Sequence, residues 1–194
     1  MNALIDQFPE AIQIDDRAYS INADYRNCLR IILAFEDVEL TNFEKEAVML
    51  NLLYDEIPRD VTKACELAVK FLNCGEHANE CTEEGERVYS FEQDAKYIYS
   101  AIKQSHGIDL EQVDFLHWWK FNYLFMDLDE KCFFCRLLYL RNQKSKGKLT
   151  KEEWDWYYSI KEVVDLPKAI CAEEQAKADD FFLKLGKEVD KGEL

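Results

Sequence analysis

Eighteen consecutive residues, Ile108–Phe125, carry two adjacent tryptophans, three phenylalanines and a tyrosine. Asp109 stands three residues before Gln112, the spacing of a capping box that opens a helix. Beyond it Val113, Leu116, Phe121, Leu124 and Phe125 recur at helical intervals, and Trp118, Trp119 and Tyr123 widen the apolar band. A band that wide needs protein on most of its sides. Adjacent side chains point roughly 100° apart on a helix of 3.6 residues per turn, so both tryptophans enter one core only if this helix is central. The rest of the chain must supply elements to enclose it.

The 194 residues are nearly half apolar, enough to bury a core. Six glycines and three prolines suit long helices and few turns. The formal net charge of −15 argues against nucleic-acid binding, which needs a Lys/Arg surface to displace phosphate counterions, and against anionic membranes. No apolar run of about twenty residues predicts a membrane span. The start, MNALIDQFPEAIQIDD, has neither a basic run nor an apolar core, so no leader is expected and a soluble cytosolic protein is. A solvated acidic surface is the simplest reading of the charge; basic partners or DNA mimicry also fit. Seven cysteines, an odd number, are expected to be reduced thiols.

A mainly α fold is expected: a compact bundle of about seven to eight helices with a short N-terminal β-hairpin. The hairpin spans Ala11–Ile21, where Ile12 and Ile14 alternate with polar residues, Asp15-Asp16-Arg17 turns, and Tyr19 and Ile21 return. Asn22 or Asp24 caps a first helix ending near Glu36, Thr41 with Glu44 a second ending near Tyr54, and Asp60 after Pro58 a third ending at Cys74-Gly75. Glu76–Val88 reads as a polar loop. Ser90 with Gln93 opens a fourth helix, the tryptophan helix is fifth, and Asp127 or Asp129 opens a sixth ending near Leu140. Arg141–Lys148 reads as a charged break, and Thr150 with Glu153 caps a seventh helix that Leu166-Pro167 closes. Residues 1–167 form a single helical domain in this reading, and 168–194, with Ile170, Ala176, Phe181, Phe182 and Leu185, an amphipathic tail helix.

Cys74-x-x-His77-x-x-x-Cys81, with Cys132-x-x-Cys135, is the best metal candidate, since short Cys/His spacings suit tetrahedral zinc. It is weak. The second pair falls in a predicted helix rather than a knuckle, and buried thiols also serve as small apolar filler. No serine elbow, phosphate loop or paired Glu-x-x-His motif occurs. His117, inside the aromatic helix, reads as a satisfied core or interface histidine. Trp118, Trp119, Trp154 and Trp156 suit core or interface packing more than a ligand groove. An enzyme, a cofactor and a resident metal are therefore not expected. Lys131–Lys151 holds Lys131, Arg136, Arg141, Lys144, Lys146, Lys148 and Lys151 with no acidic residue. Such asymmetry permits head-to-tail contact between copies, with Trp118, Trp119, Lys120, Arg141, Lys144, Lys146, Lys148 and Lys151 as candidate surface.

An ordered set of segments resembles a known family. They are Tyr19-Ser20-Ile21-Asn22 to Asp24-Tyr25-Arg26, Leu33-Ala34-Phe35-Glu36-Asp37, and Phe71-Leu72-Asn73-Cys74-Gly75. Tyr89 to Tyr99 (YSFEQDAKYIY), Ile108-Asp109-Leu110, Leu116 to Phe121 (LHWWKF) and Leu166-Pro167 complete it. From Pro9 to Pro167 the chain resembles the gene-product-fifteen family of tailed phages and prophages. Membership implies a gene between those of the major tail protein and the tape-measure protein. It implies a tail assembly chaperone that oligomerises, keeps the tape-measure protein soluble in the host bacterial cytoplasm, helps recruit tail-tube subunits and is absent from the mature virion. The family carries no catalytic residues to transfer. Rival expectations are a structural tail component kept in the particle, an acidic DNA mimic or host-interaction protein, and a zinc or redox module.

Overall fold

The computed structural model describes residues 2–75 and 88–166. Among them the fold is mainly α, as expected: a two-stranded antiparallel hairpin and eight helices. Strands β1 (Ala11–Ile14) and β2 (Arg17–Ser20) pair Ile14 with Arg17, leaving Asp15-Asp16 as the turn. Asp15 takes φ 50°, a left-handed conformation that a short polar side chain tolerates. Ile12 and Ile14 face inward.

Three helices follow, each started where a side-chain oxygen takes an otherwise unsatisfied backbone N–H. Asp24 accepts from Arg26 N at 2.9 Å to open α1 (Tyr25–Glu36). Thr41 and Glu44 form the reciprocal box that opens α2 (Asn42–Leu53), and Asp60 opens α3 (Val61–Leu72). Helices α4 (Ala95–His106), α5 (Trp118–Met126) and α6 (Phe133–Ser145) come next. The box of Thr150 and Glu153 opens α7 (Lys151–Ser159), which a break at Ile160 separates from the short α8 (Lys161–Val164). No helix among the described residues is long and apolar enough to cross a membrane.

Helix α5 is central. It packs on α1 and α4, and Trp118, Trp119 and Phe121 are all buried. The Trp118 and Trp119 indole N–H groups donate to the carbonyls of Leu72 (2.8 Å) and Phe71 (2.7 Å). The last carbonyls of α3 lack partners within their own helix; the following turn supplies N–H groups to Val69, Lys70 and Phe71, and the two indoles add donors at Phe71 and Leu72. Gly75, at φ 82°, lies against Trp119: a Cβ there would stand 3.1 Å from Cη2. Phe121 stacks on Tyr25 at 4.9 Å and on Trp118 at 5.7 Å. A second, smaller cluster of Leu137, Leu140, Tyr157 and Val164 joins α6 to α7 and α8.

Four sequence expectations are corrected. The aromatic helix starts at Trp118, not at Asp109. The Asp109 carboxylate is taken by Tyr99 Oη, Lys103 Nζ and Glu111 N, and residues 110–117 run across the start of α1 instead of coiling. Ser90 Oγ does accept from Gln93 N, but this closes a turn, and α4 begins after Asp94. Cys132, not Asp127 or Asp129, caps α6 through its sulfur; Asp129 holds Lys131 N instead. Finally, Arg141–Lys148 is not a break, because α6 continues to Ser145 and ends before Gly147 at φ 64°. Residues 76–87 and the 168–194 tail helix lie outside the described residues.

Arg141 explains that last difference. Its guanidinium is bidentate to Asp94 at 2.6 and 2.9 Å, and the two side chains are 6% and 2% exposed. Its remaining donors reach the carbonyls of Val88 (3.0 Å), Val163 (2.9 Å) and Val164 (2.8 Å). One arginine thus ties α4, α6 and α8 together with every polar group satisfied. Removing one member of a buried pair strands the other charge. Arg141→Met should therefore cost about 3–5 kcal/mol in urea unfolding. Asp94→Leu combined with Arg141→Met should cost less than the sum of the two single changes.

Candidate functional site

The approach to α5 is built from backbone groups and a histidine. Trp118 N donates to Ala23 O at 2.7 Å and Tyr25 N to Leu116 O at 2.9 Å, so the start of α5 is stitched to the start of α1. His117 caps α5: its Nδ1 accepts from Trp119 N at 3.1 Å. The proton must then sit on Nε2, which lies 3.1 Å from Pro9 O and donates to it. Phe8 stacks on the ring at 5.0 Å. Burial holds the His117 pKa below the ordinary imidazole value, against the opposing pull of the Pro9 carbonyl and of Glu10. The satisfied histidine expected from the sequence is found here.

Beside α5 a cavity of about 490 Å³ opens between α1 and α4. Tyr25, Arg26 and Leu29 form one wall, Phe91, Ala95, Ile98 and Tyr99 the other, and Leu110, Glu111 and Phe121 complete it, so the lining is mainly apolar with one charge of each sign. Polar groups at this site hold its wall in place. Arg26 lies over the Tyr25 ring at 4.7 Å and donates to the carbonyls of Leu110 (2.8 Å) and Val113 (2.5 Å). Tyr25 Oη donates to Leu110 O at 3.2 Å. Lys103 Nζ (2.8 Å) and Tyr99 Oη (2.6 Å) donate to Asp109 and hold its pKa down at about 2. A cavity of this size and lining takes apolar groups, such as one or two aliphatic or aromatic side chains. Sequence reading missed it, because its walls come from separate helices and from a loop taken for helix.

Cys132 and Cys135 serve structure. Cys132 Sγ accepts from Cys135 N at 3.4 Å, so the pair marks the start of α6 rather than its interior. Burial, then the neighbouring Cys132, pushes the Cys135 thiol up to about 12; burial also raises Cys28. Thiols held protonated are poor nucleophiles and poor metal ligands. Cys74 lies in the turn after α3 at φ 57°, while His77 and Cys81 lie outside the described residues. Among the described residues no group of three or more His, Cys, Asp or Glu is placed to hold a metal ion.

The proposed surface residues divide. Trp118, Trp119 and Arg141 are interior and offer a partner no side-chain area in this fold. Lys144 is half-buried, pairs with Asp165 at 2.5 Å and lies over the Tyr157 ring. Lys120, Lys146, Lys148 and Lys151 are exposed. On α6 and α7 Tyr139 and Tyr158 are exposed and Trp154, read from the sequence as core or interface packing, is half-buried and stacks on Tyr158.

The family model described as "Bacteriophage Gp15 protein" matches residues 4–166, more than four-fifths of the chain. No curated protein and no solved structure matches.

His117 supplies a test of the site's frame. Its folded pKa lies below the unfolded value of about 6.5, so below that pH the unfolded chain binds more protons. Stability should therefore fall as pH drops from about 6.5 towards 5, before most carboxylates titrate. His117→Asn keeps a cap for Trp119 N but loses the reach to Pro9. It should cost about 1–2 kcal/mol at pH 7.5 and flatten the pH dependence in that window, read by urea melts at each pH.

Proposed function

The chain belongs to the bacteriophage Gp15 family, and on that premise we propose that it is a tail assembly chaperone, not an enzyme. It binds the tape-measure protein in the host cytoplasm, keeps it soluble, and gives way to major tail protein subunits as the tube forms. The observation that carries this reading is the open, mainly apolar cavity beside α5, in a fold whose buried side-chain polar groups are all satisfied among the described residues. Such a cavity suits apolar side chains projecting from a helix, the mode by which grooves hold amphipathic segments. The protonated thiols and the neutral, doubly hydrogen-bonded His117 support a binding role over a catalytic one. The gene position implied by the family resemblance supplies the partner.

Magnitudes bear on how binding would work. Seating one Leu or Phe side chain gains about 1.5–3 kcal/mol, too little for a lasting one-to-one complex. A long apolar helix with many such side chains would engage many copies of the chain at once, and tethering multiplies the weak contacts. Each contact would remain weak enough for tube subunits to displace it.

The test is co-expression with the tape-measure protein. Wild type should co-purify with it and raise its soluble fraction. Ala95→Trp, at an exposed position on the cavity wall, should leave the fold intact and weaken capture about tenfold, the loss of one contact of ~1.4 kcal/mol. A tape measure equally soluble with and without this chain would contradict the proposal. Stoichiometric recovery from purified particles would favour a structural tail component instead.

A further inference from the structure

We propose that the chain's own C-terminal segment, residues 168–194, seats its phenylalanines in the cavity beside α5 and holds that site until a partner displaces it. The displacement rests on the reading of the cavity as the tape-measure site; the seating itself does not. The segment lies outside the described residues and beyond the stretch that the family model matches. In its sequence Ala178, Phe181, Phe182, Leu185 and Val189 recur at the spacing of one apolar helix face, with Asp179, Asp180, Lys184, Lys187 and Glu188 between them.

The chain leaves the described fold beside the cavity. Val164 O accepts from Arg141 Nε at 2.8 Å, and the same guanidinium grips Asp94 at 2.6 and 2.9 Å. Asp94 directly precedes Ala95, which lines the cavity from the first turn of α4. Asp165 accepts from Lys144 Nζ and from Tyr157 Oη, so the exit is pinned one residue before Leu166. Phe181 stands fifteen residues beyond Leu166. Even a wholly helical run of that length reaches about 22 Å, more than the 10–12 Å width of the helix it must cross.

The tail fits the site in kind. The cavity takes one or two aromatic side chains, and the tail brings two adjacent ones. Arg26 and Glu111 put one charge of each sign at the site, and the tail carries both signs around its phenylalanines. Between separate molecules such a contact is weak, with a dissociation constant of about 1 mM. A short tether supplies an effective concentration of that same order, so the tail fills the cavity part of the time. A partner that offers many apolar side chains then displaces it and completes the occupancy.

Backbone hydrogen exchange on the full chain alone tests the seating, because a filled cavity opens less often. Phe181→Ser with Phe182→Ser should speed exchange around Phe91–Tyr99 and Leu110–Glu111 about twofold, the loss of a half-filled site. Circular dichroism should show the same fold. From the other side, Ala95→Trp should speed exchange of residues 178–189 by a similar factor. Both effects should persist on tenfold dilution, as a contact within one chain requires. Wall exchange unchanged by the tail variant, tail exchange unchanged by Ala95→Trp, or effects lost on dilution would each overturn the proposal. The tail variant should also capture about twice as much tape-measure protein in co-expression, and equal capture would overturn the displacement. No capture by either chain would overturn the tape-measure reading and leave the seating standing.

Discussion

Two indole N–H groups donated to the last carbonyls of α3 decide where the central helix lies. Trp118 and Trp119 each bring a large apolar ring and one obligatory donor, and buried donors must find acceptors. The end of a helix offers carbonyls free of partners within the helix: Leu72 O takes Trp118, and Phe71 O takes Trp119 together with Cys74 N at 3.0 Å. The tryptophans therefore turn towards Leu72 and Phe71, and this turn puts Phe121 against Tyr25. The close fit of Trp119 over Gly75 follows from the same arrangement. With α5 fixed, α1 and α4 take its two sides, and the space left between them is the apolar cavity.

The parts legible in the sequence are those decided by neighbours in the chain. Thr41 with Glu44 and Thr150 with Glu153 are complete within four residues, and both boxes form. The alternation of Ile12 and Ile14 around Asp15-Asp16 likewise fixes the hairpin locally. What was misread depends on distant partners. Asp109 looks like a helix cap, but Tyr99 and Lys103 claim its carboxylate, and the aromatic helix starts nine residues later at His117-Trp118. Arg141 looks like part of a charged loop because its partner Asp94 lies 47 residues away. Once paired, it extends α6 and buries what reads as surface charge. The cavity was illegible for the same reason: no single segment contains it.

This division also separates the roles of the aromatics. Trp118 and Trp119, the most conspicuous residues in the chain, are committed to the interior. The aromatic area left for recognition lies elsewhere, in the cavity walls around Phe91 and Tyr99 and on the outer side of α7. Arg26 and the Asp94–Arg141 pair hold the elements that frame these surfaces, with their donors used on carbonyls and carboxylates. In this fold charge places the framework, and the apolar surface is what remains for the proposed binding. An apolar cavity held open by a satisfied polar frame suits a partner that must be released later.

The most direct test of the cavity's role is backbone hydrogen exchange on the chain alone and in complex with the tape-measure protein. The account predicts added protection around Tyr25–Leu29, Phe91–Tyr99 and Leu110–Glu111, with α5 already protected in the free chain. Unchanged exchange around the cavity, with protection gained only at other surfaces, would contradict it.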